Sequence, residues 1–219
     1  MSRAASGDFK IDRLYDAALD SGTSILLTGD DTTDIESVFH RLLTANADEQ
    51  SIVLATDDNA RSVRRSFEDV EGGTGDRTKV LTAEGPARDD DVTAIEDISD
   101  LTATGMSFST VIANAQQQTD RFRAGIFLAS SICKAVDDTR SVYRFLNSNF
   151  LTELRRGDGI GVCALDTSAD LGSSTNSIVS GIETSFTGHI EITDSGITDM
   201  TLSVSGIDAL PDTIEVNRR

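Results

Sequence analysis

The chain has 219 residues, of which 37 are acidic and 19 basic, so its formal net charge is −18. This length predicts one domain, over residues 1–219, with a substantial core. The charge disfavours binding to nucleic acid, which needs a basic patch, and the Arg61, Arg64 and Arg65 cluster is too small to reverse it. Abundant aspartate and scarce lysine indicate a salt-rich cytoplasm.

The sequence also predicts a cytoplasmic protein that does not enter a membrane. No apolar run approaches the roughly 18 residues that a membrane span needs, and the first residues lack the apolar core of a secretory signal. Cys133 and Cys163 show no metal-binding spacing and lie in or beside apolar runs. We therefore expect two buried thiols in a reducing compartment and no disulfide.

The first predicted elements are a helix, a buried strand and a second helix. Apolar residues at helical spacing predict the first helix over 9–20, and Ile25, Leu26 and Leu27 mark the strand at 24–28. A sharp loop at Gly29 precedes an amphipathic helix. Thr33 and Glu36 have the T-x-x-E spacing of a capping box at the start of that helix. We expect His40 and His189 to have structural roles.

Further along the chain, strands alternate with helices, which predicts a largely parallel sheet with helices on both faces. Alternating apolar residues near the end predict an antiparallel hairpin at one edge of the sheet. The predicted elements after the second helix are a strand at 51–56, a helix at 59–69 capped by Asp58, a strand at 78–82, a solvated acidic loop at 88–92, a helix at 106–118, a strand at 124–132, a helix at 138–156 capped by Asp138, a strand at 160–165, a loop at 172–176, a helix at 178–186, a hairpin at 190–204 and a strand around 214–216.

The segment 24–43 is where a nucleotide-binding α/β domain has its phosphate-binding loop. A P-loop has the pattern G-x-x-x-x-G-K-[ST], whose backbone N–H groups, lysine and hydroxyl contact the phosphates and Mg²⁺. Counted from Gly29, Asp34 replaces the second glycine, Ile35 the lysine, and Glu36 the Ser/Thr. The scaffold is therefore expected without the residues that bind phosphate.

The remnant of this loop consists of Gly29, Asp30, Asp31, Thr32, Thr33 and Asp34. Its three aspartates place negative charge where a triphosphate would bind. Each carboxylate about 4 Å from an anionic ligand costs roughly 1 kcal/mol in a water-like dielectric. Salt screens that repulsion but supplies no attraction.

The order of these features resembles the RecA-superfamily ATPases, specifically the KaiC-like branch, over residues 10–216. It is similar to KaiC-like proteins of halophilic archaea, which suits the acidic charge. The resemblance implies a three-layer P-loop sandwich of the RecA type. The segments that carry it are 22–29, 54–58 with the Arg-Ser-Val-Arg-Arg that follows at 61–65, 100–106, 141–146 and the closing hairpin.

Most functional positions of that family do not match this chain. The family's Walker B strand ends in an aspartate that holds Mg²⁺, whereas the segment 125–132 contains no carboxylate. Asp57 and Asp58 match the place of the acidic pair that activates the attacking water in the family. Phosphoryl transfer depends on positioning and on neutralising phosphate charge, so a remnant of the base alone gives no useful hydrolysis.

The resemblance also bears on the two cysteines. The resemblance implies a RecA-type strand order, which places the strand at 24–28 between those at 124–132 and 160–165. Cys133 and Cys163 would then lie two strand spacings apart, roughly 9.5 Å. That separation exceeds the reach of a disulfide.

The resulting hypothesis is a catalytically inactive KaiC-like module, a pseudo-ATPase, acting in regulation or signalling through a protein partner or self-association. No catalytic residue, metal, cofactor or small-molecule substrate is assigned, and enzymatic activity stays open. The alternative is a residual nucleotide- or cation-binding protein that uses Asp30, Asp31, Asp34 and Asp57, since hard cations prefer carboxylate oxygens. An enzyme with unrelated chemistry in the same crevice is a third hypothesis, disfavoured because both histidines lie apart from the expected crevice.

Overall fold

The computed structural model describes residues 9–136, 138–157, 159–171 and 175–218. The strands are β1 (Phe9–Lys10), β2 (Ala18–Leu19), β3 (Ser24–Gly29), β4 (Glu49–Asn59), β5 (Thr78–Glu84), β6 (Val92–Ala94), β7 (Arg121–Phe127), β8 (Ile160–Asp166), β9 (Gly188–Ser195), β10 (Asp199–Ser205) and β11 (Thr213–Asn217). The helices are α1 (Thr32–Leu43), α2 (Ala60–Val70), α3 (Leu101–Gln116), α4 (Ala129–Ala135), α5 (Thr139–Phe145), α6 (Leu151–Gly157) and α7 (Thr175–Glu183). A π-helical turn at Leu146–Phe150 joins α5 to α6, and a 3₁₀ turn at Gly75–Arg77 precedes β5.

The described strands after β2 form one sheet in the order β11-β10-β9-β3-β8-β7-β4-β5-β6. The pairs from β9 to β6 are parallel, and β9, β10 and β11 pair in antiparallel fashion. The predicted α/β class, mostly parallel sheet and antiparallel C-terminal hairpin are therefore confirmed. None of the helices in the described ranges is long and apolar enough to cross a membrane.

The core has two parts, one on each face of the sheet. Ile25 and Leu27 of β3 belong to the cluster packed with α1 and α2, while Leu26 belongs to the cluster packed with α3 to α7. Successive strand residues point to opposite faces. The apolar run Ile25–Leu27 of β3 therefore packs against both helical layers.

The predicted helix at 9–20 is wrong. The segment forms the antiparallel pair β1–β2, with a turn in which Leu14 N–H and Tyr15 N–H donate to the carbonyl of Ile11. The carbonyl of Lys10, which a helix would use internally, accepts a hydrogen bond of 2.7 Å from Nη2 of Arg123. The helical spacing of the apolar residues reflects this single turn. Tertiary contacts, not helical hydrogen bonds, set the conformation of the other residues in the segment.

The predicted strand at 124–132 is correct only in its first half. β7 ends at Phe127, Leu128 adopts a left-handed backbone conformation (φ 58°, ψ 59°), and α4 begins at Ala129. A short buried helix and a central strand both have a continuous run of apolar residues in the sequence. The run alone therefore did not distinguish the two.

The expected strand order is wrong at its centre. β8 lies between β3 and β7, so the strand of Cys163 neighbours β7 directly, and Cys133 lies on α4. The predicted placement of the two cysteines two strand spacings apart is therefore wrong. Both cysteines are nevertheless free and buried, and burial raises the pKa of the Cys133 thiol to about 11.

Smaller differences concern helix starts and one missed strand. Asn59, not Asp58, caps α2 because its side chain accepts from the N–H of Ser62. Helix α3 begins at Leu101, five residues earlier than predicted, because Asp100 caps it. The acidic loop leads into β6, which pairs with β5. Part of the predicted loop at 172–176 lies outside the described residues.

Candidate functional site

The turn between β3 and α1 is too short to wrap a phosphate group. β3 ends at Gly29 and α1 begins at Thr32, so only Asp30 and Asp31 lie between them. A P-loop has four residues between its two glycines before the lysine is reached. The residues that match its second half here form the first turn of α1. Asp30, Thr32 and Thr33 are exposed on this turn.

Asp31 caps the N-terminus of α1. Its Oδ1 accepts hydrogen bonds from the N–H groups of Thr33 at 2.8 Å and Asp34 at 3.2 Å. These are amides of the kind that bind an anion at a helix N-terminus, and here a carboxylate uses them. The predicted capping box is therefore wrong, and Glu36 instead accepts from Oγ of Ser66 at 2.8 Å.

Asp34 is 1% exposed and is bound from the C-terminal part of the chain. Its Oδ1 accepts from Nε of Arg218 at 2.7 Å, and Nη2 of the same side chain lies 2.7 Å away. Its Oδ2 accepts from Oγ of Ser195 at 2.6 Å. Arg218 also lies 3.7 Å from Asp31 and donates to the carbonyl of Gly196. The cation at this turn therefore comes from the protein itself.

Gly29 is explained by close packing. A Cβ at this position would lie 3.1 Å from Cγ1 of Ile35 and 3.2 Å from Cδ1 of Ile192. The carbonyl of Gly29 accepts from both the N–H and the Oγ1 of Thr167, at 2.7 and 2.8 Å. The turn is thus held between α1, β9 and the end of β8.

The acidic pair Asp57 and Asp58 lies at the carboxyl end of β4. Oδ2 of Asp57 accepts hydrogen bonds from Oγ of Ser131 and from Oγ1 of Thr56. Burial, followed by the charges of Glu36 and Asp57, raises the pKa of Asp58. The fold therefore brings Glu36 towards the acidic pair, whereas Asp34 is held separately by Arg218. Across the described ranges, no three His, Cys, Asp or Glu side chains form a group able to hold a metal ion.

The end of β7 presents backbone carbonyls where a Walker B strand would supply a carboxylate. The carbonyls of Phe127 and Leu128 both accept from Oγ1 of Thr56, at 3.0 and 3.2 Å. The left-handed conformation of Leu128 costs roughly 1–2 kcal/mol and sends the chain out of the sheet into α4. Ser131 in the first turn of α4 thereby reaches Asp57.

A family model described as a family of unknown function (DUF7504) matches residues 22–192. The chain belongs to this family. No curated protein matches the sequence. The part of this DUF7504 chain that the model covers runs from the residues before β3 into β9, so it includes the turn with Asp34. Ser195 and Arg218, which bind Asp34, lie beyond it.

Sequence reasoning missed one array of functional groups in this DUF7504 chain. Nε2 of His189 lies 2.7 Å from Oγ1 of Thr28, and its Nδ1 lies 3.2 Å from Oε1 of Glu183. The order hydroxyl, imidazole, carboxylate matches that of a nucleophile with its base and orienting acid. Thr28 is only 1% exposed within the sheet, so a substrate has no access to it. We interpret the array as structural.

Proposed function

We propose that this chain is a catalytically inactive KaiC-like module with a RecA-type fold, a pseudo-ATPase that acts in regulation or signalling through protein–protein contacts. The observation that carries the proposal is the turn between β3 and α1. Two residues and a helical turn stand where a phosphate-binding loop would be, and the helix amides are used by Asp31. A mostly parallel sheet with helices on both faces is retained around this altered turn.

The chemistry of the turn argues against phosphoryl transfer. Catalysis of that reaction rests on a lysine, Mg²⁺ ligands and a positioned nucleophile. Here the position of the lysine is Ile35, which is fully buried, and the strand β7 ends without a carboxylate. Arg218 offsets part of the negative charge of Asp34 and Asp31. Its guanidinium is already bonded to Asp34 and to the carbonyl of Gly196, so a phosphate would compete with these partners.

We place the module in the cytoplasm of a halophilic archaeon. Support comes from the net charge of −18, since surface carboxylates keep a protein soluble in molar salt. Support also comes from the two free, buried cysteines, which suit a reducing compartment.

Residual cation binding is the second candidate, and the specific observation that favours it is the raised pKa of Asp58. The neighbouring carboxylates Glu36 and Asp57 contribute to that increase, and a cation near them would relieve the repulsion. Asp57 already accepts a hydrogen bond from Ser131, which lowers its availability. A calorimetric titration with MgCl₂ alone separates the two candidates. A cation-binding protein gives saturable heat, whereas a module without a cation site gives none.

Light scattering on the purified chain in molar KCl tests the interaction part of the proposal. We expect a mass that is a multiple of the 23.4 kDa of one chain, and no release of phosphate from ATP and Mg²⁺ above the blank. A monomer at every protein concentration would contradict self-association. Phosphate release that scales with protein concentration would contradict the inactive assignment.

A further inference from the structure

A cleft lined by arginines lies at the carboxyl ends of β4 and β5, apart from the turn between β3 and α1. Its volume is about 540 Å³, within the range of small-molecule sites. Open α/β sheets bind ligands in crevices at the carboxyl ends of their strands. We call it the arginine cleft, and its lining includes Ala60, Arg61, Arg64, Glu84, Pro86 and Arg88.

Two of these arginines have no carboxylate partner within the described residues. Arg64 donates from Nη1 and Nη2 to the two oxygens of Asp89, at 2.8 and 3.0 Å, and is thereby both neutralised and held in place. Arg61 and Arg88 are exposed, and the described part of the chain offers neither an ion pair. Besides Asp89, which pairs with Arg64, the acidic residue in the described lining is Glu84.

Exposed arginines for which the described residues offer no ion pair also occur elsewhere, as at Arg155 and Arg156, but Arg61 and Arg88 line one cleft. With 37 acidic residues available, other cations nearby do have partners, since Lys79 lies 2.7 Å from Asp91 and Arg65 lies 3.9 Å from Asp69. An unpaired guanidinium presents a planar set of donors that fits a phosphate bidentately. Two such groups at one cleft match the charge of a phosphate monoester, roughly −1.5 to −2 at neutral pH.

Apolar residues complete the lining of the arginine cleft. Gly85, with φ +85°, turns the chain after β5, and Pro86 follows it in the lining. Val92 is 7% exposed and lies in the lining with Ala60. A lining that combines arginines with apolar residues fits a phosphate attached to a small organic group better than a free inorganic ion.

We propose that the arginine cleft binds a small organic phosphate, with Arg61 and Arg88 pairing with the dianion and the apolar lining residues contacting the organic group. Arg64 is held by Asp89 as a fixed wall of the site. The proposal is independent of the pseudo-ATPase assignment, because the cleft shares no lining residue with the turn between β3 and α1.

The test is isothermal titration of the full chain with phenyl phosphate and, separately, with inorganic phosphate, in 0.3 M KCl. We expect saturable binding of phenyl phosphate that is tighter than that of inorganic phosphate. The double variant Arg61→Gln/Arg88→Gln should weaken phenyl phosphate binding by at least about tenfold, since two charge-assisted contacts are lost. Glu84→Gln should tighten it by about twofold to threefold, because a like charge at the rim is removed.

Arg155→Gln/Arg156→Gln is the matched control, because both arginines are exposed on α6 and do not line the cleft. This control should leave the affinity unchanged. Melting temperatures of all variants establish that they are folded. Absence of saturable heat with phenyl phosphate, or equal affinity in the Arg61→Gln/Arg88→Gln variant and the wild type, would overturn the proposal.

Discussion

The two ends of α1 are both met by an arginine from a distant part of the chain, yet the two contacts differ in kind. At the C-terminal end, Nη1 of Arg123 donates to the carbonyl of Leu42 at 2.8 Å, and its Nε bonds Glu49 at 2.6 Å. Both side chains of that pair are at most 1% exposed. At the N-terminal end, Arg218 bonds Asp34 but keeps 27% of its side chain exposed.

One end of the helix is thus held by a buried ion pair, and the other by an ion pair that is partly open to solvent. Burial acts against the charge of Glu49, yet the hydrogen bond and charge of Arg123 hold the pKa of Glu49 below its ordinary value. Arg123 pairs with a carboxylate that has no access to water. Arg218 pairs with Asp34 near the carboxyl ends of the strands, where α/β proteins bind ligands.

The largest effect is expected at the buried end. Arg123→Met leaves the buried carboxylate of Glu49 without its main partner, so the free energy of unfolding should fall by about 3–5 kcal/mol. Denaturant unfolding in molar KCl measures this. The double variant Glu49→Met/Arg123→Met should recover much of the loss, because no unpaired charge remains in the core. Arg121, whose Nη2 also lies 3.0 Å from Glu49, is 25% exposed and keeps its contact with water. A single variant within about 1 kcal/mol of wild type would show that the pair does not support this end of α1.

The next effect concerns His40, in the last turn of α1. Burial lowers the pKa of His40 to about 4, with a backbone hydrogen bond to Glu36 opposing the shift, and its ring packs against Phe67 at 4.7 Å. The unfolded chain therefore binds a proton more readily than the folded one between pH 6.5 and 4. Stability should fall by about 3 kcal/mol as pH drops through that window.

The variant His40→Leu isolates this contribution from that of the many carboxylates. Unfolding of both proteins is measured at pH 7 and at pH 4, and the difference between the two pH values is compared. The variant should lose about 3 kcal/mol less than the wild type on acidification. Equal losses in the two proteins would mean that His40 is not held neutral by the packing at this end of the helix.

A smaller effect is expected at the N-terminal end. Arg218→Ala removes a partly exposed partner of Asp34. Oδ2 of Asp34 still accepts a hydrogen bond from Ser195. The free energy of unfolding should fall by about 1–3 kcal/mol, below the value for Arg123→Met. Arg156→Ala, at an exposed arginine on α6, is the control and should stay within about 0.5 kcal/mol of wild type. A loss for Arg218→Ala as large as that for Arg123→Met would remove the distinction between the two ends.

The main-sheet elements were readable from the sequence because their apolar runs are long and their ends carry clear signals. β3, α1, α2 and the closing hairpin fall close to their predicted positions, and Asp138 caps α5 as predicted. The β1–β2 pair was not readable, since Arg123 stabilises it from 113 residues away. The helix α4 was not separable from β7, because both are buried.

The sequence predicts which residues occupy the candidate site, but it does not predict which side chains they contact. The sequence alone locates the turn at Gly29 and the lack of a lysine after it. It does not show that Asp34 is buried, because the partners Ser195 and Arg218 lie 161 and 184 positions away. Nor does it show Thr28, His189 and Glu183 in one array. Contacts over such separations leave no local pattern of residues.

The proposal that the turn between β3 and α1 binds no nucleotide is tested most directly by a calorimetric titration of ATP with Mg²⁺ into the chain in molar KCl. The titration is repeated with the variants Asp34→Ala and Arg61→Gln/Arg88→Gln. A phosphate at the turn would have to displace Arg218 from Asp34 and face Asp30 and Asp31, so we expect no binding there. Any binding elsewhere on the chain should be unaffected by the substitution at Asp34. We expect no heat of binding, or heat of binding that disappears only in the variant Arg61→Gln/Arg88→Gln. Micromolar binding that persists in the cleft variant and changes with Asp34→Ala would contradict the proposal.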